Sequence, residues 1–237
     1  MNKESLLYAY VAQATYINKS SHKSFVITAK FENKGTDTQG LFGEAHGNTY
    51  VVAFRGSEET GIADWITDLK FIPMVYPYGK PNDKSMTVHS GFMGAYNSVR
   101  EAVQKAVKST KHKQVVFVGH SLGGALASLA ALDTAYNIPG KEISCYTYGS
   151  PKVGNDNFVK AYNKLVPNTY RCVNGRDMVP SAPPGAFGHV GQLYCVGGAT
   201  AQEYGWTELV ANLMDKIDDH FPNNYINELK VFIKTLS

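Results

Sequence analysis

The order of predicted strands and helices indicates an α/β fold with a mostly parallel central sheet and helices on both faces. Runs of β-branched and aromatic residues, such as 114–118, alternate with stretches such as 122–136, which is rich in Ala and Leu. A continuous apolar run of strand length is typical of a strand that is buried on both faces. Strands that alternate with helices predict a parallel sheet, because each helix returns the chain to the start of the next strand.

Each element is supported by its own local pattern. The predicted strands cover residues 24–29, 49–54, 114–118, 142–148 and 169–173. Helices are predicted around Leu7 and Tyr10, over the short amphipathic stretch that contains Trp65, and over residues 90–108, 122–136 and 224–236. A loop rich in Pro and Tyr is expected at 73–81. We expect all 237 residues to form one domain, because α/β sheets of this length commonly fold as one unit.

Composition narrows the class of protein. With 43% hydrophobic and 18% charged residues, the chain has enough apolar material for a core and no signature of disorder. The net charge of +3 is mild, and the basic run at 105–113 reads as a solvated helix face, so no nucleic-acid partner is expected. The short apolar stretch at 6–12 has Glu4 and Gln13 close by and continues a helical stripe, so we expect a helix of the mature domain there rather than a signal peptide. No apolar run approaches the roughly 18 residues that span a bilayer, so we expect no transmembrane segment.

The three cysteines carry no metal-binding pattern. Cys145, Cys172 and Cys195 lie far apart in strand-like segments. We expect buried thiols, with a single disulfide as the alternative. Nicotinamide, flavin, phosphate and metal signatures are all missing from the sequence, so no cofactor is expected.

The stretch V-V-F-V-G-H-S-L-G-G at 115–124 is the most informative in the sequence. Gly119 and Gly123 flank Ser121, with a predicted strand before them and a predicted helix after them. In such a nucleophile elbow the serine adopts a strained backbone, and small residues let the strand and helix meet. The helix that begins at Leu122 directs free N–H groups toward the point where an oxyanion would form. The pattern predicts Ser121 as the nucleophile of a serine hydrolase with the α/β-hydrolase fold.

From about Thr49 to the C-terminal helix the sequence resembles the fungal-type triacylglycerol lipases, also called class 3 lipases. Six stretches carry the resemblance in the family's order: A-F-R-G-S at 53–57, D-W-I-T-D-L at 64–69, V-H-S-G-F at 88–92, G-H-S-L-G-G-A at 119–125, Y-G-S-P-K-V-G-N at 148–155 and N-G-R-D-M-V-P at 174–180. The resemblance implies that Ser57 and Leu122 form an oxyanion hole and that residues 58–69 form a lid. Ser57 is also suited to cap the helix that contains Trp65.

A nucleophilic serine needs a histidine as base and an acid that orients the histidine. The chain order in this fold is serine, acid, histidine. Acids that follow Ser121 include Asp133, Asp156, Asp177, Asp215, Asp218 and Asp219. Asp177 is preferred because it follows a predicted strand at the carboxyl edge of the sheet, where ligands of open α/β sheets bind. The family motif points to the same residue.

Only His189 and His220 follow Asp177 in the sequence. The resemblance implies that a histidine near 189 is structural and that the catalytic histidine precedes a tyrosine, as His220 does. We therefore predict His220 as the base and keep His189 as the alternative. His89 and His120 are expected to support the site through hydrogen bonds.

These observations predict a carboxylester hydrolase, first of all a triacylglycerol lipase, with a lipid or a small ester as substrate. Ile62, Trp65 and Ile66 give the lid an apolar face suited to an acyl chain and to transient contact with a lipid surface. A docked helix that never moves is the alternative. A feruloyl-type esterase, a phospholipase A1 and a non-catalytic binding relative stay open. We expect a secreted protein whose signal peptide is absent from this chain, with a cytoplasmic location also open. The oligomeric state is left undetermined.

Overall fold

The computed structural model describes residues 4–57, 62, 70–175, 177–197 and 217–235, with a seven-stranded sheet at its centre. In order across the sheet the strands are β1 (Phe25–Asn33), β2 (Thr38–Ala45), β3 (Thr49–Phe54), β6 (Gln114–His120), β7 (Glu142–Tyr148), β8 (Asn168–Asn174) and β9 (Gln192–Val196). The strands from β3 to β9 pair in parallel, whereas β1, β2 and β3 pair antiparallel. A separate two-stranded ribbon pairs β4 (Pro73–Val75) with β5 (Thr87–His89). The predicted mostly parallel α/β-hydrolase sheet is confirmed.

Helices cover both faces of the sheet. They are α1 (Glu4–Ile17), α2 (Ser90–Ser109), α3 (Leu122–Asn137), α4 (Asp156–Leu165) and α5 (Pro222–Lys234), with 3₁₀ turns at Val179–Ser181 and Ile217–His220. One core lies between the sheet and α2, α3 and α4, and a second lies between the sheet and α1 and α5. Among the described residues, no helix is both long enough and apolar enough for a membrane span.

The central strand β6 explains why the apolar run of 114–118 is continuous. Val115 and Phe117 belong to the first core, and Val116 and Val118 belong to the second. Successive side chains of a strand point to opposite faces, so a strand covered on both faces needs apolar residues at every position.

Five elements of the described structure were not predicted, namely β2, β4, β5, β9 and α4, and β4 occupies the first residues of the stretch 73–81 that was expected to be a loop. Glycines at positions 40 and 43 weaken the strand pattern of β2. In the structure they make room for aromatic rings of β1: a Cβ at Gly40 would lie 2.2 Å from the Phe31 ring, and one at Gly43 2.4 Å from the Phe25 ring. The glycines thus report close packing between neighbouring strands rather than a break in the sheet.

Parallel pairing determines where functional side chains collect. The carboxyl ends of β3, β6, β7 and β8 lie at one edge of the sheet. The chain leaves these strands at residues 55, 121, 149 and 175, so the segments that follow all begin at this edge. The edge is therefore the place where the predicted site residues can meet.

Candidate active site

Ser121 occupies the sharp turn between β6 and α3. Its backbone has φ 57° and ψ −132°, a conformation that L-residues rarely adopt. A Cβ at Gly119 would lie 2.0 Å from the Gly123 carbonyl oxygen, and a Cβ at Gly123 would lie 2.3 Å from the Phe54 carbonyl oxygen. The two glycines are thus required because β6, α3 and the end of β3 touch here. The strand, turn and helix that the sequence predicts around Ser121 are all present.

His220 and Asp177 form a buried hydrogen-bonded pair. The Nδ1–H of His220 donates to Oδ2 of Asp177 over 2.8 Å, and both side chains are almost fully buried. The hydroxyl of Tyr225 donates to the same oxygen over 2.5 Å, and the backbone N–H of Val179 donates to Oδ1 over 2.9 Å. The carboxylate is therefore oriented by three donors, which leaves the imidazole with a defined tautomer and a defined direction.

Burial and the neighbouring Asp177 carboxylate raise the pKa of Tyr225 well above its ordinary value. Tyr225 accordingly keeps its proton at any physiological pH and stays a donor to Asp177.

Two polar atoms of this site have no partner within the described part of the chain. They are the Oγ of Ser121 and the Nε2 of His220, both of which are buried. The end of β7 links Ser121 to the histidine. The N–H of Ser121 donates to the Tyr148 carbonyl over 2.9 Å, and the next residue, Gly149, lies directly against His220. The structure thus brings together the serine, histidine and acid that the sequence predicts. Within the described residues, the serine oxygen and the second histidine nitrogen make no hydrogen bond.

Gly149 is fitted closely against the histidine and the acid. It has φ +58°, and a Cβ there would lie 2.7 Å from Oδ2 of Asp177 and 2.8 Å from Nδ1 of His220. Any side chain would therefore enter the space beside the hydrogen bond between them. The motif at 148–155 contains this glycine, yet nothing in the sequence connects it with the histidine.

The two predicted oxyanion residues belong to segments that lie next to Ser121. Leu122 is the first residue of α3, and the first four N–H groups of a helix have no acceptor within the helix. A Cβ at Gly56 would lie 2.9 Å from the Cβ of Ser121, so the segment that leaves β3 passes directly beside the serine. Ser57, the next residue, is half-buried.

The structure places two competing acids and the competing histidine elsewhere, whereas Asp218 and Asp219 lie in the 3₁₀ turn that carries His220 and Asp215 lies outside the described residues. Asp133 is fully buried in an ion pair with Arg100, and Asp156 begins α4. The Nε2–H of His189 donates to the Pro180 carbonyl over 2.8 Å. Burial, with smaller effects from nearby cations, lowers the pKa of His189 to about 3. His189 is therefore a neutral structural residue.

The two supporting histidines have different surroundings. His120 contacts the site, because its ring Nε2 lies 2.5 Å from the backbone carbonyl of His220. His89 instead caps α2 by accepting from the N–H of Phe92. Tyr16, on α1, lies 2.8 Å from His120, and no sequence signal pointed to it.

The lid residues can be described only in part. The Ile62 side chain is buried, whereas Trp65, Ile66 and the rest of 58–69 lie outside the described residues.

The cysteine prediction holds in part: all three thiols are unpaired, Cys145 and Cys172 are buried, and Cys195 is half-buried.

An apolar groove of about 460 Å³ lies between the start of the ribbon and the loop at 184–187. Phe71, Pro73 and Phe187 contribute its apolar walls. The loop belongs to the segment that begins at Asp177, and the ring of Phe187 lies 5.7 Å from that of His89. The groove can receive a hydrocarbon chain of a small ligand.

Comparison with known proteins gives consistent matches. The family model described as "Lipase (class 3)" matches residues 51–187. A lipase of Rhizomucor miehei is 37% identical over 163 residues, which cover 65% of this chain and 43% of the relative. The secreted mono- and diacylglycerol lipase 1 of Fusarium solani is 35% identical over 181 residues, which cover 69% of this chain and 50% of the relative. The chain thus spans half or less of the length of these two relatives.

A solved structure of a triacylglycerol lipase, whose catalytic centre is described as a serine protease triad, superposes with a TM-score of 0.70. It is 27% identical, and the match covers 91% of this chain and 89% of that one. The family model alone accounts for more than half of the chain, including the elbow and Asp177. The chain therefore belongs to the class 3 lipase family.

Proposed function

We propose that this protein is a serine carboxylester hydrolase, and specifically a triacylglycerol lipase, with Ser121 as nucleophile, His220 as base and Asp177 as acid. One observation carries the proposal. A histidine already oriented by a buried carboxylate keeps its second nitrogen unpaired at the corner that also holds an unpaired serine hydroxyl. In unliganded serine hydrolases the serine–histidine hydrogen bond is often long and tightens only when substrate binds.

The first half of the reaction acylates the serine. Nε2 of His220 takes the proton of Ser121 Oγ as that oxygen attacks the ester carbonyl carbon. The carbonyl oxygen becomes an oxyanion, and we propose that the backbone N–H groups of Leu122 and Ser57 donate hydrogen bonds to it. The intermediate collapses as the bond to the leaving alkoxide breaks, and the imidazolium donates its proton to that alkoxide.

The second half of the reaction frees the enzyme. His220 removes a proton from water, whose oxygen attacks the acyl carbon on Ser121. The second tetrahedral intermediate expels the serine oxygen, which regains a proton from His220, and a carboxylic acid leaves. Asp177 stabilises the imidazolium at both stages. The proposed steps use no metal ion and no organic cofactor.

The groove and the surface beside it support a lipid substrate. An acyl chain in the groove would lie against Phe71 and Phe187, and this contact would remove apolar surface from water. In the same segment as Phe71 and Pro73, Ile72 is 53% exposed and Val75 is 40% exposed. We propose that these residues and a lid over 58–69 contact the lipid surface. The F. solani relative is named as a secreted lipase, and we propose secretion here as well.

The proposal is tested by replacing the reacting groups and by varying the substrate. Ser121→Ala should reduce ester turnover by about 10⁶-fold and abolish covalent labelling by an organophosphonate, with the fold retained. Asp177→Asn should reduce turnover by roughly 10⁴-fold, whereas the matched control Asp156→Asn should have near-normal turnover. Near-normal activity of Ser121→Ala would refute the mechanism.

The substrate class is tested separately with the wild-type protein. A lipase should hydrolyse emulsified triacylglycerol faster than a short p-nitrophenyl ester in solution and should gain activity above the solubility limit of its substrate. Faster turnover of soluble esters, with no such gain, would identify a soluble esterase that uses the same three residues.

A further inference from the structure

The 3₁₀ turn that presents His220 is held by side chains from three other elements. Each of its last three carbonyls accepts a hydrogen bond from a side chain. Asn224 on α5 donates to the carbonyl of Asp218 over 2.6 Å, and Asn174 at the end of β8 donates to that of Asp219 over 2.9 Å. The carbonyl of His220 itself is 2.5 Å from Nε2 of His120. These hydrogen bonds hold the backbone of the turn in place, and they therefore also hold the imidazole of His220 that the turn carries.

Two contacts of His120, with this carbonyl and with Tyr16, together determine its tautomer. A carbonyl oxygen only accepts, so Nε2 of His120 must carry the hydrogen. Its Nδ1 then has a lone pair, and the hydroxyl of Tyr16 on α1 donates to that nitrogen over 2.8 Å. A relay of two hydrogen bonds thus runs from α1 through His120 to the backbone of His220.

His120 also has to remain uncharged for the reaction to proceed. Its ring centroid lies 4.5 Å from that of His220. A positive charge at that distance would oppose formation of the imidazolium on His220. Burial, and next to it the proximity of His220, lower the pKa of His120 well below its ordinary value, so His120 is neutral when His220 takes a proton.

We propose that His120 is a positioning residue for the base and that Tyr16 holds it in the tautomer that this task requires. The proposal rests on the proposed role of His220. It extends the working site to α1, which lies outside the residues that match the family model.

The experiment uses two amides of different reach at position 120. The amide nitrogen of Gln reaches the position of Nε2 and can donate to the His220 carbonyl, whereas that of Asn reaches only the position of Nδ1. We expect His120→Gln to lower kcat by about two- to threefold. His120→Asn should lower kcat by on the order of ten- to hundredfold with KM nearly unchanged, because a buried carbonyl loses its donor.

Tyr16→Phe should lower kcat about three- to tenfold with KM unchanged, because His120 loses the donor that fixes its tautomer. Tyr10→Phe on the same helix is the matched control and should have normal turnover, since Tyr10 packs against His22 and Lys230, away from the site.

Equal kcat values for the Gln and Asn variants would overturn the proposal. If neither variant folds, Tyr16→Phe decides, and a normal kcat there overturns it. His220→Ala separates the two levels of inference. An active His220→Ala protein refutes the proposed base itself. An inactive one, together with equal Gln and Asn variants, refutes only the role of His120.

Discussion

Gly149→Ala is the substitution that tests most directly whether the pairing of His220 with Asp177 sustains activity. The new methyl group would lie 2.7 Å from Oδ2 of Asp177 and 2.8 Å from both Nδ1 and Cε1 of His220. Ordinary van der Waals contact begins at about 3.4 Å. The carboxylate and the imidazole must therefore each retreat by roughly 0.6 to 0.7 Å.

A displacement of this size is large for a catalytic group. A misplacement of about 1 Å can cost on the order of 100-fold in rate, and complete loss of the correct histidine tautomer costs about 10⁴-fold. Because the expected displacement is somewhat below 1 Å and the tautomer is retained, we expect Gly149→Ala to lower kcat by roughly 10- to 100-fold. The left-handed backbone at position 149 adds about 1 to 2 kcal/mol of destabilisation for any residue with a Cβ.

Gly140→Ala separates the contact from the backbone strain. Gly140 has φ +85°, but a Cβ there would meet no atom within 4 Å. Both variants should lose a few degrees in Tm through strain, at about 2 to 4 °C per kcal/mol for a chain of this size. Only Gly149→Ala should lose turnover of a p-nitrophenyl ester and reactivity toward an organophosphonate. Normal kcat in Gly149→Ala, with a Tm equal to that of Gly140→Ala, would refute the reasoning.

Two further predictions concern stability and pH. Arg100→Met should lower the free energy of unfolding by about 3 to 5 kcal/mol, because Asp133 is fully buried and would be left with only neutral donors such as Tyr96. A loss below about 1 kcal/mol in urea unfolding would contradict this. His189 has a folded pKa of about 3, below its ordinary value of 6.5, so the unfolded chain binds the extra proton and stability falls as pH decreases through this window. His189→Gln should flatten that fall by about 1.4 kcal/mol per pH unit between about pH 5.5 and 4, and an unchanged slope would contradict the assignment.

The sequence correctly predicted those elements whose structure follows from a local pattern of residues. The β6 strand, the turn at Ser121 and α3 follow from a continuous apolar run and two spaced glycines. Residues 49–54 and 142–148 were predicted with the bounds that β3 and β7 have in the structure. The predicted α5 began two residues late, because Pro222 is the first residue of the helix, a position that proline tolerates well.

The missed features depend on contacts between distant segments. The β2 glycines gain their meaning only from the β1 rings that pack on them, and Gly149 only from the histidine that arrives 71 positions later in the chain. Tyr16 meets His120 across 104 positions, so no local spacing reveals the contact. α4 was missed because only Phe158 and Tyr162 of its ten residues are buried, which leaves too short an apolar stripe.

The backbone of Ser121 places thermal stability and turnover in conflict. Its positive φ costs on the order of 1 to 3 kcal/mol, which a glycine at this position would avoid. Under the proposed mechanism, a protein with glycine at this position would lack its nucleophile. Directed evolution of this protein for heat resistance alone would thus favour glycine at position 121 and yield an inactive enzyme. Every round of such a selection therefore needs a parallel screen for ester turnover. Stabilising changes are better sought in elements remote from the elbow, such as the exposed face of α2.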